Sequence, residues 1–97
     1  MYARITPIRA DPARAEEAAR FFEEQGLPAL RRLPGFRHYL GTGDRATGRG
    51  YAITLWDTAE QAAGLRDALA ALGPRLQALG LQFEAPEVHE VLLQAQA

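Results

Sequence analysis

The sequence predicts an α+β fold of the ferredoxin-like kind, β-α-β-β-α-β, with a four-stranded antiparallel sheet and two helical stretches on one of its faces. Three observations carry this. Residues 33–61 read as a helix end, a β-hairpin and a helix start, so a doubled-back strand pair lies between two helical stretches. Asp11-Pro12 marks a helix start directly after an alternating, β-rich opening segment. A leucine stripe at steps of three and four then gives way to Val88, Val91, Leu92 and Leu93, the apolar content of a last strand.

The first strand is expected over residues 2–9, with Pro7 marking an edge or a bulge near its end. Asp11 is the N-cap of the first helix and Pro12 its N1 residue, which has no N–H to leave unpaired. Ala15, Ala18, Ala19 and Phe22 recur at i, i+3, i+4 and i+7, so one stripe faces a core and its small residues allow close approach to a sheet. Gly26-Leu27-Pro28 interrupts this helix. Pro28 either opens a second piece or kinks a continuous one. Pro34-Gly35 ends it, and a second strand is expected over residues 36–42. The loop over residues 41–50 is rich in glycine, but it joins two strands and carries no Lys, which argues against a phosphate cradle.

A third strand is expected over residues 50–56, ending at Trp56. Asp57 or Thr58 then caps the next helix, with Glu60 or Gln61 completing a capping box. Ala62, Leu65, Leu69, Leu72, Leu76 and Leu79 form its core-facing stripe, broken at Gly73-Pro74. Gly80 ends the second piece. The last strand is expected within residues 83–93, followed by a frayed tail.

With 97 residues the chain is expected to be a single domain, residues 1–97. Its 47% apolar and 24% charged content is that of an ordinary globular protein. Cys, Ser, Asn and Lys do not occur. Their absence rules out disulfides, thiolate chemistry, a serine triad, a Schiff base and Cys-based metal sites. With only His38 and His89 available, no metal site and no cofactor are expected. The eleven basic residues are all Arg, spread evenly, and the net charge is −1, so no nucleic-acid partner is expected. No segment is long and apolar enough to span a membrane, and the N-terminus goes straight into a strand pattern, so a cytoplasmic protein without a membrane partner is expected.

Period-two alternation puts Phe36, His38 and Leu40 on one side of the second strand and Arg37 and Tyr39 on the other. In the third strand it separates Tyr51, Ile53 and Leu55 from Ala52, Thr54 and Trp56. Both faces carry large apolar groups, while helices cover only one. A sheet of this kind calls for a partner, which predicts a homodimer.

The chain resembles the antibiotic biosynthesis monooxygenase family of the dimeric α+β barrel superfamily. The resemblance rests on Leu27-Pro28-Ala29-Leu30-Arg31, Leu33-Pro34-Gly35-Phe36-Arg37, Asp44-Arg45-Ala46-Thr47-Gly48, and Ile53-Thr54-Leu55-Trp56 with Glu60 four residues on. It implies a homodimer whose sheets form a barrel, with a pocket in each subunit between sheet and helices. Within that family, quinone oxygenases and haem degraders use an Asn together with the third-strand Trp, which Trp56 matches. No Asn exists here, and no His lies between Asp57 and Gly80 to match the iron ligand of the haem degraders.

The candidate residues follow. Trp56 either lines a pocket for a planar substrate or closes the core at the sheet–helix junction. Thr54 shares its strand face, and Phe22 reaches the same space from the first helix or packs in the core. His38 is the candidate general base, against a half-buried strand His satisfied by solvent or a carboxylate. His89 is read as an interface or surface residue and Glu60 as a helix cap. The function expected is that of a pocket protein for a small planar apolar molecule, quinone- or phenol-like, acting as a cofactor-independent monooxygenase. The alternatives are a non-catalytic ligand-binding or stress-related homodimer, and a structural dimer whose own side chains fill the pocket.

Overall fold

The sheet is built around one long pairing. In a computed structural model describing residues 1–97, strand β1 (Tyr2–Arg9) runs antiparallel to β3 (Arg49–Trp56) along its whole length, from Tyr2 opposite Trp56 to Arg9 opposite Arg49. Strand β2 (Phe36–Gly41) flanks β3, and β4 (Gln82–Phe83) and β5 (Glu87–Glu90) both pair with the free edge of β1. The order β2-β3-β1-β4 with every pair antiparallel is the ferredoxin-like arrangement expected from the sequence.

The fourth strand differs from the expectation in being split. Ile8 pairs with Phe83 and Ile5 with Glu87, so residues 84–86 face only Thr6 and Pro7. The extra residue forces a bulge, and Pro86 has no N–H to continue the ladder. Glu84 N–H still bonds the Pro7 carbonyl at 2.9 Å and Val91 N–H the Met1 carbonyl at 2.9 Å. Leu92 and Leu93 lie beyond the sheet, each 88% exposed.

Asp11 caps the first helical stretch as expected, its carboxylate accepting from Ala13 N–H at 3.0 Å. A 3-10 turn (Pro12–Arg14) leads into α1 (Ala15–Phe21), a π-helical segment (Phe22–Gly26) and α2 (Leu27–Arg31). Pro28 thus stands in the first turn of a second α piece, α2, as one of the two expected alternatives has it, with a π-helical turn joining it to α1. Leu27 N–H reaches back five residues to the Phe22 carbonyl, and the wider turn absorbs the missing donor and the ring of Pro28. Gly26 is required here, because a Cβ would lie 2.5 Å from the Phe22 ring.

The second helical stretch starts at a complete capping box between Thr58 and Gln61. It then breaks more often than its leucine stripe suggests, into α3 (Ala59–Ala63), α4 (Leu65–Ala68), a 3-10 turn (Ala70–Leu72) and α5 (Gly73–Ala78). Gly64 makes the first break. Gly73-Pro74 opens α5, with Pro in its first turn. The stripe still faces inward: Ala62, Leu65 and Leu76 are buried. Leu30, Trp56, Ala62 and Leu65 form the core cluster, where α2, α3 and the start of α4 meet the end of β3. No helix is long and apolar enough to cross a membrane.

Strand β2 departs from strict alternation, and this decides which side chains share a face. Phe36 stands opposite Trp56, yet His38 stands opposite Leu55 and Tyr39 opposite Thr54, with a bulge at Arg37. Arg37 turns outward into a two-pronged bond with Asp57, at 2.7 and 3.0 Å. The hydrogen bond from Arg37 holds the exposed Asp57 carboxyl below its ordinary range. Phe36 and Tyr39 therefore point toward the helices with Thr54 and Trp56. His38 and Leu40 point to the other face.

Candidate functional site

The helix-facing side of the sheet carries Arg4, Thr6 and Ile8 from β1, Ala52, Thr54 and Trp56 from β3, and Tyr39 from β2. The helices do not close down on all of this surface. Between them and the sheet lies an open cavity of about 1350 Å³, larger than the ~300–1,000 Å³ usual for small-molecule sites. Its walls are mainly apolar: Ala18, Ala19 and Phe22 come from the first helical stretch, and Leu65, Leu69 and Leu76 from the second. The Phe22 ring packs on Tyr39 with centroids 4.9 Å apart, forming one aromatic wall.

The polar groups facing this space are few. Burial raises the Tyr39 phenol pKa, so Tyr39 stays protonated and serves as a hydrogen-bond donor or acceptor rather than a base. Thr54 is 3% exposed and lines the cavity. Its Oγ1 accepts from the Trp56 indole Nε1–H at 2.7 Å, which leaves the hydroxyl proton for another acceptor.

Of the residues the sequence singles out, Phe22 and Thr54 are brought together on the cavity. Trp56 is not on its wall. It is 1% exposed, packs edge-on to Phe36 at 5.4 Å, and borders a separate niche of about 140 Å³ beside Leu33 and Gln61. It supports the cavity from behind, through Thr54. His38 lies on the opposite face of the sheet, exposed, beside Leu55. His89, opposite Ala3, is on that same face, with Nε2 at 3.2 Å from Glu87. Neither imidazole lines the cavity, so no histidine is placed there to ligate a haem iron. Glu60 lies in the first turn of α3, where a carboxylate suits the helix dipole, while the capping box itself is made by Gln61.

One residue of the site was not among the sequence candidates. Arg4 is buried, lines the cavity and donates from Nη1 to the Ala62 carbonyl at 3.0 Å. Its only signal in the sequence is strand parity, which sets it with Thr6 and Ile8 on one face of β1.

No protein-family model and no curated protein matches the chain. Solved structures do. An MhuD variant with two manganese protoporphyrin IX bound per active site superposes with a TM-score of 0.77 at 20% identity, covering 100% of both chains. A monooxygenase from the ActVA-Orf6 gene of Streptomyces coelicolor, in complex with nanaomycin D, gives 0.69 at 16% identity, covering 97% of this chain and 92% of that one. A dimeric ferredoxin-like protein from an uncultured marine organism gives 0.75 at 10% identity, covering 100% of both chains. At such identities the likeness is one of fold. The chain has the ferredoxin-like α+β fold that its resemblance to the antibiotic biosynthesis monooxygenases implies.

Proposed function

We propose that residues 1–97 act as a single domain, that two copies form a homodimer, and that each subunit binds a planar, largely apolar molecule of quinone- or phenol-like chemistry between sheet and helices. The observation that carries this reading is the cavity of about 1350 Å³ with the Phe22–Tyr39 wall on one side and leucines on the other. Flat aromatic ligands gain from stacking and from the apolar area they remove from water. Thr54 and Tyr39 supply the few polar contacts that fix orientation. The fold shared with a nanaomycin-binding monooxygenase supports the same class of ligand.

That likeness favours a second reading, cofactor-independent monooxygenation. In such a reaction the ring CH₂ of an anthracenone, the keto tautomer of a phenol, reacts as its carbanion with dioxygen. One oxygen atom becomes the new carbonyl, and the other leaves as water with the two hydrogens of the CH₂ group. The protein's share is to bind, desolvate and exclude bulk water. His38, on the opposite face, is not placed to take the substrate proton.

The two readings separate in one experiment. A hydroxylated anthracenone is titrated into the protein by calorimetry, and oxygen consumption is followed on the same mixture. Saturable binding with one site per subunit is expected. Phe22→Ala, with its fold verified by circular dichroism, should weaken binding about tenfold, and His38→Ala should leave affinity unchanged. Oxygen uptake unaltered by His38→Ala would establish the monooxygenase reading. Binding without uptake would establish the non-catalytic one. Absence of saturable binding would overturn both.

A further inference from the structure

Arg4 is the only charged residue buried in the molecule, at 9% exposure. It takes part in none of the ion pairs. The carboxylates that line the same cavity are Glu16, held by Arg45 at 2.7 Å, Glu84, held by Arg9 at 3.7 Å, Asp44, which accepts from Ala46 and Thr47 N–H, and Glu23; none of them pairs with Arg4. Its one protein partner is the Ala62 carbonyl, which uses a single one of the five guanidinium N–H donors. No buried side-chain nitrogen or oxygen lacks a partner, so the remaining donors are not sealed in the protein interior. They belong to a residue that lines the cavity. Arg66, from α4, lines it too.

A guanidinium that is mostly buried keeps only part of its solvation, and an anion in the cavity would replace what is lost. Burial lowers the Arg4 pKa, and the nearby positive charge of Arg66 lowers it further. Donation to the Ala62 carbonyl, in the last turn of α3, accounts for one guanidinium N–H; an incoming anion would engage the remaining donors and offset the repulsion between the two Arg residues.

We propose that Arg4 and Arg66 form an anion subsite inside the cavity, one that receives an oxyanion carried by the planar ligand, a carboxylate or a phenolate. This rests on the ligand-binding reading above and deepens it. The ligand is then amphipathic: an aromatic body lies along Phe22, Tyr39 and the leucines, and one charged edge meets the guanidinium. Arg is suited to this, because its planar fork offers two parallel donors to a carboxylate.

The test compares two probes of equal shape, anthracene-2-carboxylate and anthracene-2-carboxamide, by calorimetry. The wild-type protein is expected to bind the carboxylate at least about tenfold more tightly than the carboxamide, from charge-assisted hydrogen bonding. Arg4→Met should weaken the carboxylate about 10–100-fold and leave the carboxamide within about twofold, with the fold checked by circular dichroism. Arg66→Gln, an exposed position, should weaken the carboxylate alone, by a smaller factor. If Arg4→Met does not fold, the wild-type preference and the Arg66→Gln result decide the matter. Equal binding of the two probes by wild-type protein would overturn the anion subsite while leaving the pocket standing. Failure of both probes to bind would overturn the pocket reading itself.

Discussion

Trp56→Ala is expected to lower the free energy of unfolding by about 3–5 kcal/mol, the range for removing a buried aromatic side chain from a core. Trp56 is 1% exposed, sits in one cluster with Leu30, Ala62 and Leu65, and meets the Phe36 ring edge-on. Its removal leaves a cavity between β3, α2 and α3, and takes away the donor to Thr54 Oγ1. A domain of this length has about 5–15 kcal/mol of stability in total, so the loss is a large share. Trp56→Phe keeps most of the volume and should lose about 1–3 kcal/mol. Urea unfolding followed by far-UV circular dichroism measures both, since the chain has no second Trp to report by fluorescence. A loss under about 1 kcal/mol for Trp56→Ala would place the indole in a site with little packing around it, contrary to the geometry.

Ile53→Asp is expected to convert the proposed homodimer to a monomer. The face of the sheet turned away from the helices has an apolar row running straight across it. Ile5, Ile53 and Leu40 stand in register on β1, β3 and β2, and the neighbouring rungs bring Ala3 with Leu55 and Pro7 with Tyr51. Leu40 and Tyr51 are each 50% exposed. A two-fold interface would place this patch against its own copy, burying ~1,200–2,000 Å² or more. An Asp at its centre would then enter the interface twice. Burying unpaired carboxylates costs several kcal/mol, more than an interface of that size has to spare. Light scattering should give twice 10.6 kDa for wild-type protein at micromolar concentration and 10.6 kDa for the variant. A wild-type monomer would remove the homodimer from the account.

What the sequence made legible was local or periodic. The Asp11 cap and the Thr58–Gln61 capping box depend on residues within one turn, and both are found. The shared face of Thr54 and Trp56 follows from period two. Depth does not. Parity alone cannot say that Thr54 meets an open cavity while Trp56 is sealed behind it. The face of His38 was lost to one inserted residue: the bulge at Arg37 puts Phe36 and Tyr39 on one side and His38 and Leu40 on the other, so Phe36, His38 and Leu40 do not form the single set that alternation suggests. The π-turn before Pro28 has no sequence mark of its own, although Gly26 is what lets the Phe22 ring lie there. Arg4 was hidden by company. Among eleven arginines, only its position facing the helices distinguishes it, and that requires knowing where the helices lie.

The central claim is that the ligand enters between sheet and helices rather than at the open face or at the Trp56 niche. Methyl-resolved NMR of the protein, with a hydroxylated anthracenone added stepwise, tests it directly. Saturating shifts are predicted at the methyl groups of Thr54, Thr6, Leu65, Leu69 and Ala18, which line the cavity, with those of Ile5, Ile53 and Leu55 unmoved. Shifts confined to Ile5, Ile53 and Leu55, or none at any methyl group, would contradict it.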